Sequence, residues 1–432
     1  MSRPRIHWVG PLPPARTDIA AMTARILPAL SQRADVVLWT DAEQWDPDLA
    51  HLATVRRYDA GAHFPMPLDG LPPADGPEAI FFQIGNSWVF HAGPLNLARR
   101  VPGVVVLHDL ALQDLLRGMI EFGHFDAPVY RREMADWYGL PGRRAADDVL
   151  ADRVRPHEAA MRYPFFEIAF PKAVAAMAHT EAGVDMVAAR GALPVYGLDL
   201  PFPPGPERPA GRAPGGPLKL VQFGYLAPNR RLDQVLEALG GLRERLDFRL
   251  EIFGTLWDEG HVRGKIAELH LTDRVALRGY APEGELDAAL AAAHLVFNLR
   301  HPTMGEASGS QLRIWAAAAA SVVSETGWYA HLPDDCAFKI PVDGEVAALS
   351  DLLTRLDADR AEGARIGAAG RARLNACHAP ERYAQGLVEA AARYGMDARD
   401  ALMAQRALRL LAEMPGRRLA TRRLAERLES GG

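Results

Sequence analysis

The sequence predicts an α/β protein of two doubly wound, parallel-sheet domains that face each other across a cleft. Three observations carry this expectation. Short β-type runs alternate with helical patterns, which implies βαβ units and sheets covered on both faces. The alternation stops in PFPPGPERPAGRAPGGP at 201–217, where so much Pro and Gly marks a linker, and then restarts. Polar, Gly-containing loops follow several of the apolar runs, which is where open α/β sheets bind ligands.

In the first half the runs are IHWV at 6–9, VVLW at 36–39, AIFF at 79–82, VVVL at 104–107 and VAAM at 174–177. A helical, aromatic and charged insertion at about 110–172 interrupts them and is expected to shape a cleft or lid. Beyond the linker the runs are LKLVQF at 218–223, LEIF at 250–253, VAL at 275–277, LVFNL at 295–299, SVV at 321–323 and FKI at 338–340. The expected domains are therefore 1–200, 218–395 and a helical basic tail at 396–432. In the tail Met403, Ala407, Leu410 and Met414 recur at helical spacing until Pro415-Gly416, and an Arg-rich segment follows. Such a tail packs on a domain, pairs subunits, or lies on an anionic membrane.

Of the 432 residues, 49% are hydrophobic and 24% charged, as in a soluble globular protein. The formal net charge of -5 gives no reason to expect nucleic acid as a partner. Cys336 and Cys377 are too few for a disulfide framework and fit a reducing cytosol. No secretory signal or transmembrane run is read, so the expected location is cytoplasmic, with peripheral contact at the inner membrane as one use of the tail.

The strongest chemical signal is RHPTMGEASGS at 300–310, between an apolar run and an alanine-rich helix. The first N–H groups of that helix lack internal partners and favour an anion. Glu306 beside an anion is repulsive unless it faces sugar hydroxyls, so Gly305, Glu306, Ala307, Ser308, Gly309 and Ser310 suggest a phosphorylated polyol. Gly224 ends the run before Arg230, whose planar guanidinium suits a diphosphate. Gly254 and Tyr280, after neighbouring runs, are candidate walls. On the first half, His108 and Asp109 follow VVVL directly, and His108 can orient a sugar or stabilise charge. Gly10, Gly85 and Asn86 end other runs. Thr17 or Asp18 caps the first helix, with a role for Asp18 on an acceptor left open. No GxxxxGK[ST] loop and no GxGxxG after the first run is found, which weakens an NTPase or a dehydrogenase.

At these residues the chain resembles glycosyltransferase family 4, retaining enzymes of the GT-B fold, over nearly all of residues 6–393. The ordered set is the Gly-Pro loop, His108-Asp109, the linker, GYLAPNRR, GEASG and SETGW at 324–328. A bacterial subgroup with a G-E-x-S-G loop in place of the two-glutamate motif, tied to surface polysaccharide synthesis, matches best. The resemblance implies a retaining hexosyl- or glycosyltransferase that moves a sugar from a UDP- or GDP-linked donor to a glycan, lipid-linked or protein acceptor. It requires no metal and no further cofactor. It implies His108, Glu306 and Arg230 as catalytic residues. The family's second glutamate falls on Ile314, and its diphosphate Arg/Lys pair on Tyr225 and Arg230, which leaves Glu306 a lone carboxylate and Arg230 the one facing cation. Homo-oligomerisation or membrane contact through the tail stays open. So do a catalytically inactive nucleotide-sugar-binding scaffold and a phosphorylase or epimerase on the same fold.

Overall fold

The computed structural model describes residues 3–59, 74, 76–205, 215–303 and 305–413. It divides into two units. One comprises residues 1–178, 184–198 and 384–432, the other 179–183 and 199–383.

The first unit holds a seven-stranded sheet in the order β3-β2-β1-β4-β5-β6-β7. Its strands are β1 Arg5–Val9, β2 Asp35–Thr40, β3 Thr54–Arg57, β4 Glu78–Ile84, β5 Gly103–Leu107, β6 Ala173–Ala178 and β7 Val195–Gly197. The second holds six, ordered β10-β9-β8-β11-β12-β13: β8 Leu218–Leu226, β9 Phe248–Leu256, β10 Val275–Gly279, β11 Leu295–Phe297, β12 Ser321–Ser324 and β13 Phe338–Ile340. Every strand pairing in both sheets is parallel. The apolar runs are therefore strands, as periodicity requires of sheets covered on both faces. The edge strands β3 and β7 escape that signal, because neither presents a buried run: TVRR and VYG are half-exposed. The expected run at 295–299 is shorter as a strand, Leu295–Phe297, although Asn298 N–H still donates to Val322 O at 2.9 Å.

The insertion is helical, with helices Gln113–Glu121, Ala127–Leu150 and Pro156–Ala160. The longest is broken at Gly139 (φ 68, ψ -159), two residues before Pro141. It is not a detached lid. Leu115, Leu116, Met119, Tyr130, Met134, Phe165 and Phe166 are buried in the same cluster as Trp39, Phe82 and Val105 of the sheet. Its polar anchor is Glu167, fully buried, which pairs with Arg190 Nε at 2.6 Å and accepts from Tyr138 Oη at 2.7 Å.

Two expected boundaries move. The segment after 200 is not all linker: Phe202 is buried with Leu312 and Trp315 of the second unit, and its N–H donates to His378 O at 2.8 Å. Residues 206–214 of the expected linker lie outside the described residues. The second domain does not run to 395. One helix, Pro380–Glu413, passes through Gly395 without a break, and from residue 384 it belongs to the first unit. Gly386 lies against Leu198, Gly395 lies against the Glu78 backbone, and Glu389 accepts from Tyr196 Oη at 3.1 Å. These small residues let the helix dock closely on the first sheet. Residues 414–432 of the tail lie outside the described residues. Among the described residues, no helix is long and apolar enough to cross a membrane.

Burial pushes the Glu167 carboxyl above its ordinary range, against the opposing pull of Tyr138 and Arg190. Removing Arg190 leaves that carboxylate buried without its cation. Arg190→Ala is expected to cost about 3 kcal/mol in urea unfolding at pH 7. A carboxyl with a raised pKa is relieved by protonation as pH falls, so the loss is expected to shrink towards pH 5.

Candidate active site

In each sheet the chain winds outward in one direction, returns to the middle, and winds the other way. The second unit runs from β8 out to β10, then from β11 out to β13, so its winding reverses between β8 and β11. The carboxyl ends of those two strands are the place such sheets leave open for ligands. Gly224 lies two residues inside the end of β8 rather than beyond it, Arg230 follows that strand, and the Glu306 loop follows the other.

Gly224 and Gly254 are register partners on β8 and β9, with φ of +111° and +110°. A Cβ on Gly254 would stand 2.0 Å from Gly224 O. Only glycine fits at 254, and at this one level the two neighbouring strands carry no side chain. Arg230 closes the short turn Pro228–Arg230, and its Nη2 lies 4.0 Å from a Cβ built on Gly224. Gln222 Nε2 donates to Arg230 O at 2.9 Å, which fixes the turn to the sheet.

Beyond β11, Asn298 is buried and donates from Nδ2 to Gln311 Oε1 at 3.0 Å; Gln311 Nε2 in turn donates to Ser321 Oγ at 2.7 Å. This chain of side chains ties β11 and β12 to the helix Gly309–Ala316. Ser308 caps that helix by accepting from Gln311 N at 3.2 Å. Ser308 is buried, and its hydroxyl organises the start of the helix. Gly305, Ala307, Gly309 and Ser310 remain partly exposed around it. The helix N-terminus therefore opens at the reversal point, as the sequence implied.

Glu306, without a second glutamate at Ile314, is nevertheless ion-paired. Arg300 Nη1 pairs with its Oε1, and Thr303 Oγ1 donates to its Oε2 at 3.2 Å. The two charged side chains are only 12% and 14% exposed. Arg300 itself is placed by its N–H, which donates to Ser324 Oγ at 3.0 Å. A second cation thus sits in the loop, where sequence reasoning counted only Arg230. The signal available was the six-residue spacing of Arg300 and Glu306 across a Pro-containing turn. Asn298 was also legible, as the one polar residue of its run. Tyr225, in the position where the resembling family has a cation, is 61% exposed. Tyr280 is 76% exposed after β10, two strand spacings or about 10 Å from β8. Ile314 is fully buried with Val221, Phe223 and Phe253, below the site.

The first unit reverses between β1 and β4. Gly10 ends β1 against Gln83, whose Cβ would lie 2.9 Å from a Cβ at Gly10. Gln83 is buried in β4, and its Oε1 accepts from His108 Nε2 at 2.8 Å. Gly10, Gln83 and His108 thus occupy the ends of three adjacent strands, and Gln83 was not foreseen. Asn86 serves the scaffold instead: its N–H donates to Asp109 Oδ2 (2.8 Å), its Nδ2 to Asp114 Oδ2 (3.1 Å), and its Oδ1 accepts from Leu115 N (3.0 Å). Asp109 is therefore turned toward the Asn86 backbone. Thr17, not Asp18, caps the helix Asp18–Ser31, accepting from Ile19 N at 3.1 Å; Asp18 is its first acidic residue. Gly85 abuts His91, whose Nδ1 donates to Gln83 O at 3.0 Å.

A family model described as "Glycosyl transferase-like" matches residues 230–389. A search of curated proteins finds no match. Solved structures with the same fold include Anabaena HepE in complex with UDP, 14% identical, covering 89% of this chain and 98% of that one, TM-score 0.56. Sucrose-phosphate synthase from Thermosynechococcus elongatus is 14% identical, covering 91% and 100%, TM-score 0.58. WaaG, a glycosyltransferase involved in lipopolysaccharide biosynthesis, is 17% identical, covering 88% and 98%, TM-score 0.54. The fold is thus GT-B, two Rossmann-like units with a helical C-terminal region, and the second unit carries a glycosyltransferase-like domain.

Two outcomes follow from this geometry. Gly254→Ala is expected to cost at least about 2 kcal/mol, read by urea unfolding, because both the strained φ and the Gly224 carbonyl oppose a Cβ. Burial pushes His91 down to about 4, against the raising effect of its bond to Gln83 O. A lowered histidine contributes stability above its unfolded value and loses it as pH falls through the folded one. The protein should lose about 3 kcal/mol between pH 6.5 and 4 from this group. His91→Gln should flatten that part of the stability-versus-pH curve.

Proposed function

We propose that the chain is a retaining glycosyltransferase that takes its sugar from a nucleoside-diphosphate donor, with UDP-linked sugars the first candidates. The observation that carries this is the β8/β11 reversal point, where Arg230, the Arg300–Glu306 pair and the N-terminus of the helix Gly309–Ala316 converge. It lies in the part of the chain that matches the glycosyltransferase-like model, and the Anabaena HepE structures of the same fold hold UDP and UDP-glucose.

In this reading the bare backbone at Gly224 and Gly254 admits the diphosphate. Arg230 and the helix N–H groups stabilise the charge that grows on it as the glycosidic bond breaks, as preorganised electrostatics. Glu306 accepts from the donor sugar's hydroxyls. Arg300 neutralises Glu306, which removes the repulsion a bare carboxylate would exert on a diphosphate at short range. Tyr280 borders the base side. The first unit's Gly10, Gln83 and His108 form the acceptor-side surface, with His108 held in one orientation by Gln83. The acceptor is a glycan or lipid-linked glycan of the bacterial surface, and no metal takes part. The proposed cellular place is the cytoplasm or the inner face of the membrane.

The test is transfer or slow hydrolysis across a panel of UDP- and GDP-sugars. Arg230→Ala is expected to lower kcat/KM by about 10²–10³, the scale of losing one transition-state donor. Glu306→Ala should lower it comparably, and Arg300→Ala should raise KM for the donor as well. Full turnover in both the Arg230 and the Glu306 variants rejects the assignment. Tight UDP binding with no turnover on any acceptor would instead favour the inactive scaffold, to which the exposed Tyr225 and the buried Ile314 lend some support.

A further inference from the structure

The second unit has a pocket at the opposite ends of its strands. It measures about 420 Å³ and lies along the amino-terminal halves of β8 and β9 and along β10. From Lys219 to Gly224 on β8 is about 17 Å, so the pocket is separate from the reversal point.

Its charge is unusual for this chain. Lys219, Arg249, Arg274 and Arg278 line it against Glu251 and Asp273. Four positive charges less two negative leave a local +2, whereas the whole chain is -5. Two of the cations are already engaged. Arg278 pairs with Glu251 at 2.5 Å, and Arg274 donates to Leu246 O at 2.7 Å while lying 5.3 Å over the Phe248 ring. Lys219 and Arg249 form no ion pair among the described residues, and Arg249 has only a long bond from Nη1 to Phe248 O at 3.4 Å.

Lys219 and Arg249 are also register partners on β8 and β9, which puts both on one face of the sheet as direct neighbours. Like charges placed directly opposite each other weaken a strand pair. The Lys219 backbone is clamped: its N–H donates to His294 Nδ1 at 2.9 Å and its O accepts from His294 N at 2.8 Å. Two cations are therefore held side by side, where a dianion between them would meet both. Beneath them, Val221, Ala276, Ala289 and Ala292 give the pocket an apolar floor. Charge above and carbon below suit an anion with an organic body.

We propose that this pocket binds a phosphate monoester, with Lys219 and Arg249 taking the phosphate oxygens and the apolar floor taking the organic group. The site is independent of the glycosyltransferase reading. Arg249 offers a planar fork and Lys219 a point charge to the same phosphate, a combination of charge-assisted bonds that a monoanion fills only in part.

The probe is phenyl phosphate, titrated into the full chain by calorimetry, with phenol and inorganic phosphate as comparisons and UDP as a second ligand. Saturable phenyl phosphate binding is expected, tighter than inorganic phosphate and with no measurable binding of phenol. Arg249→Gln should weaken it at least about tenfold, while Arg230→Ala leaves it unchanged. Inorganic phosphate binding as tightly as phenyl phosphate would overturn the proposal. So would phenol binding as well as phenyl phosphate, absence of saturable binding, unchanged affinity in Arg249→Gln, or loss of affinity in Arg230→Ala. UDP also ends in a terminal phosphate, so its binding is read in Arg249→Gln, where the donor site alone remains; its failure there would touch the proposed function and not this pocket.

Discussion

Two all-parallel sheets set the terms for everything else in this protein. Parallel strands need long crossovers, the crossovers cover both faces, and buried faces leave little room for a polar ligand. What remains open is the ends of the strands, above all the carboxyl edge at the point where the winding reverses. In the second unit that point lies between β8 and β11, in the first between β1 and β4. The glycines at these places answer the same constraint. Gly10 yields to Gln83, and Gly254 yields to the Gly224 carbonyl, so backbone approaches where side chains would block.

The electrostatics of the second unit's site rest on burial. A carboxylate 14% exposed at a helix N-terminus would compete with any bound anion, were it not paired. Arg300 turns that conflict into a neutral, oriented pair, and Thr303 fixes the remaining oxygen. Behind it, Asn298, Gln311 and Ser321 satisfy one another in a buried row that locks the helix start to β11 and β12. A polar row of this kind rigidifies only when each member is bonded, and a single apolar replacement would leave its neighbours unsatisfied.

The units are less simple than two beads on a linker. The insertion shares the first sheet's core, with Tyr130, Met134 and Phe165 packed among the strand residues. The last helix belongs to the first unit from residue 384, although much of the chain before it builds the second. Its close seat depends on Gly386 and Gly395, where a larger residue would meet Leu198 or the Glu78 backbone.

By itself the sequence determined the fold class, the order of the buried strands, the helical insertion, and the loops at 224–230 and 300–310 that form the candidate site. These are local properties: runs of Val, Ile and Leu, a Gly/Ser loop before a helix, and a Pro/Gly stretch all announce themselves over a few residues. Edge strands β3 and β7 stayed hidden because half-exposed strands lack such a run. Only the tertiary structure decided what depends on residues distant in sequence. It joined Gln83 to His108, gave Asn86 and Ser308 structural duties, and set Gly224 beside Gly254. It also carried the last helix back to the first sheet. Partners of this kind are chosen by strand register and packing, which no short window of sequence contains.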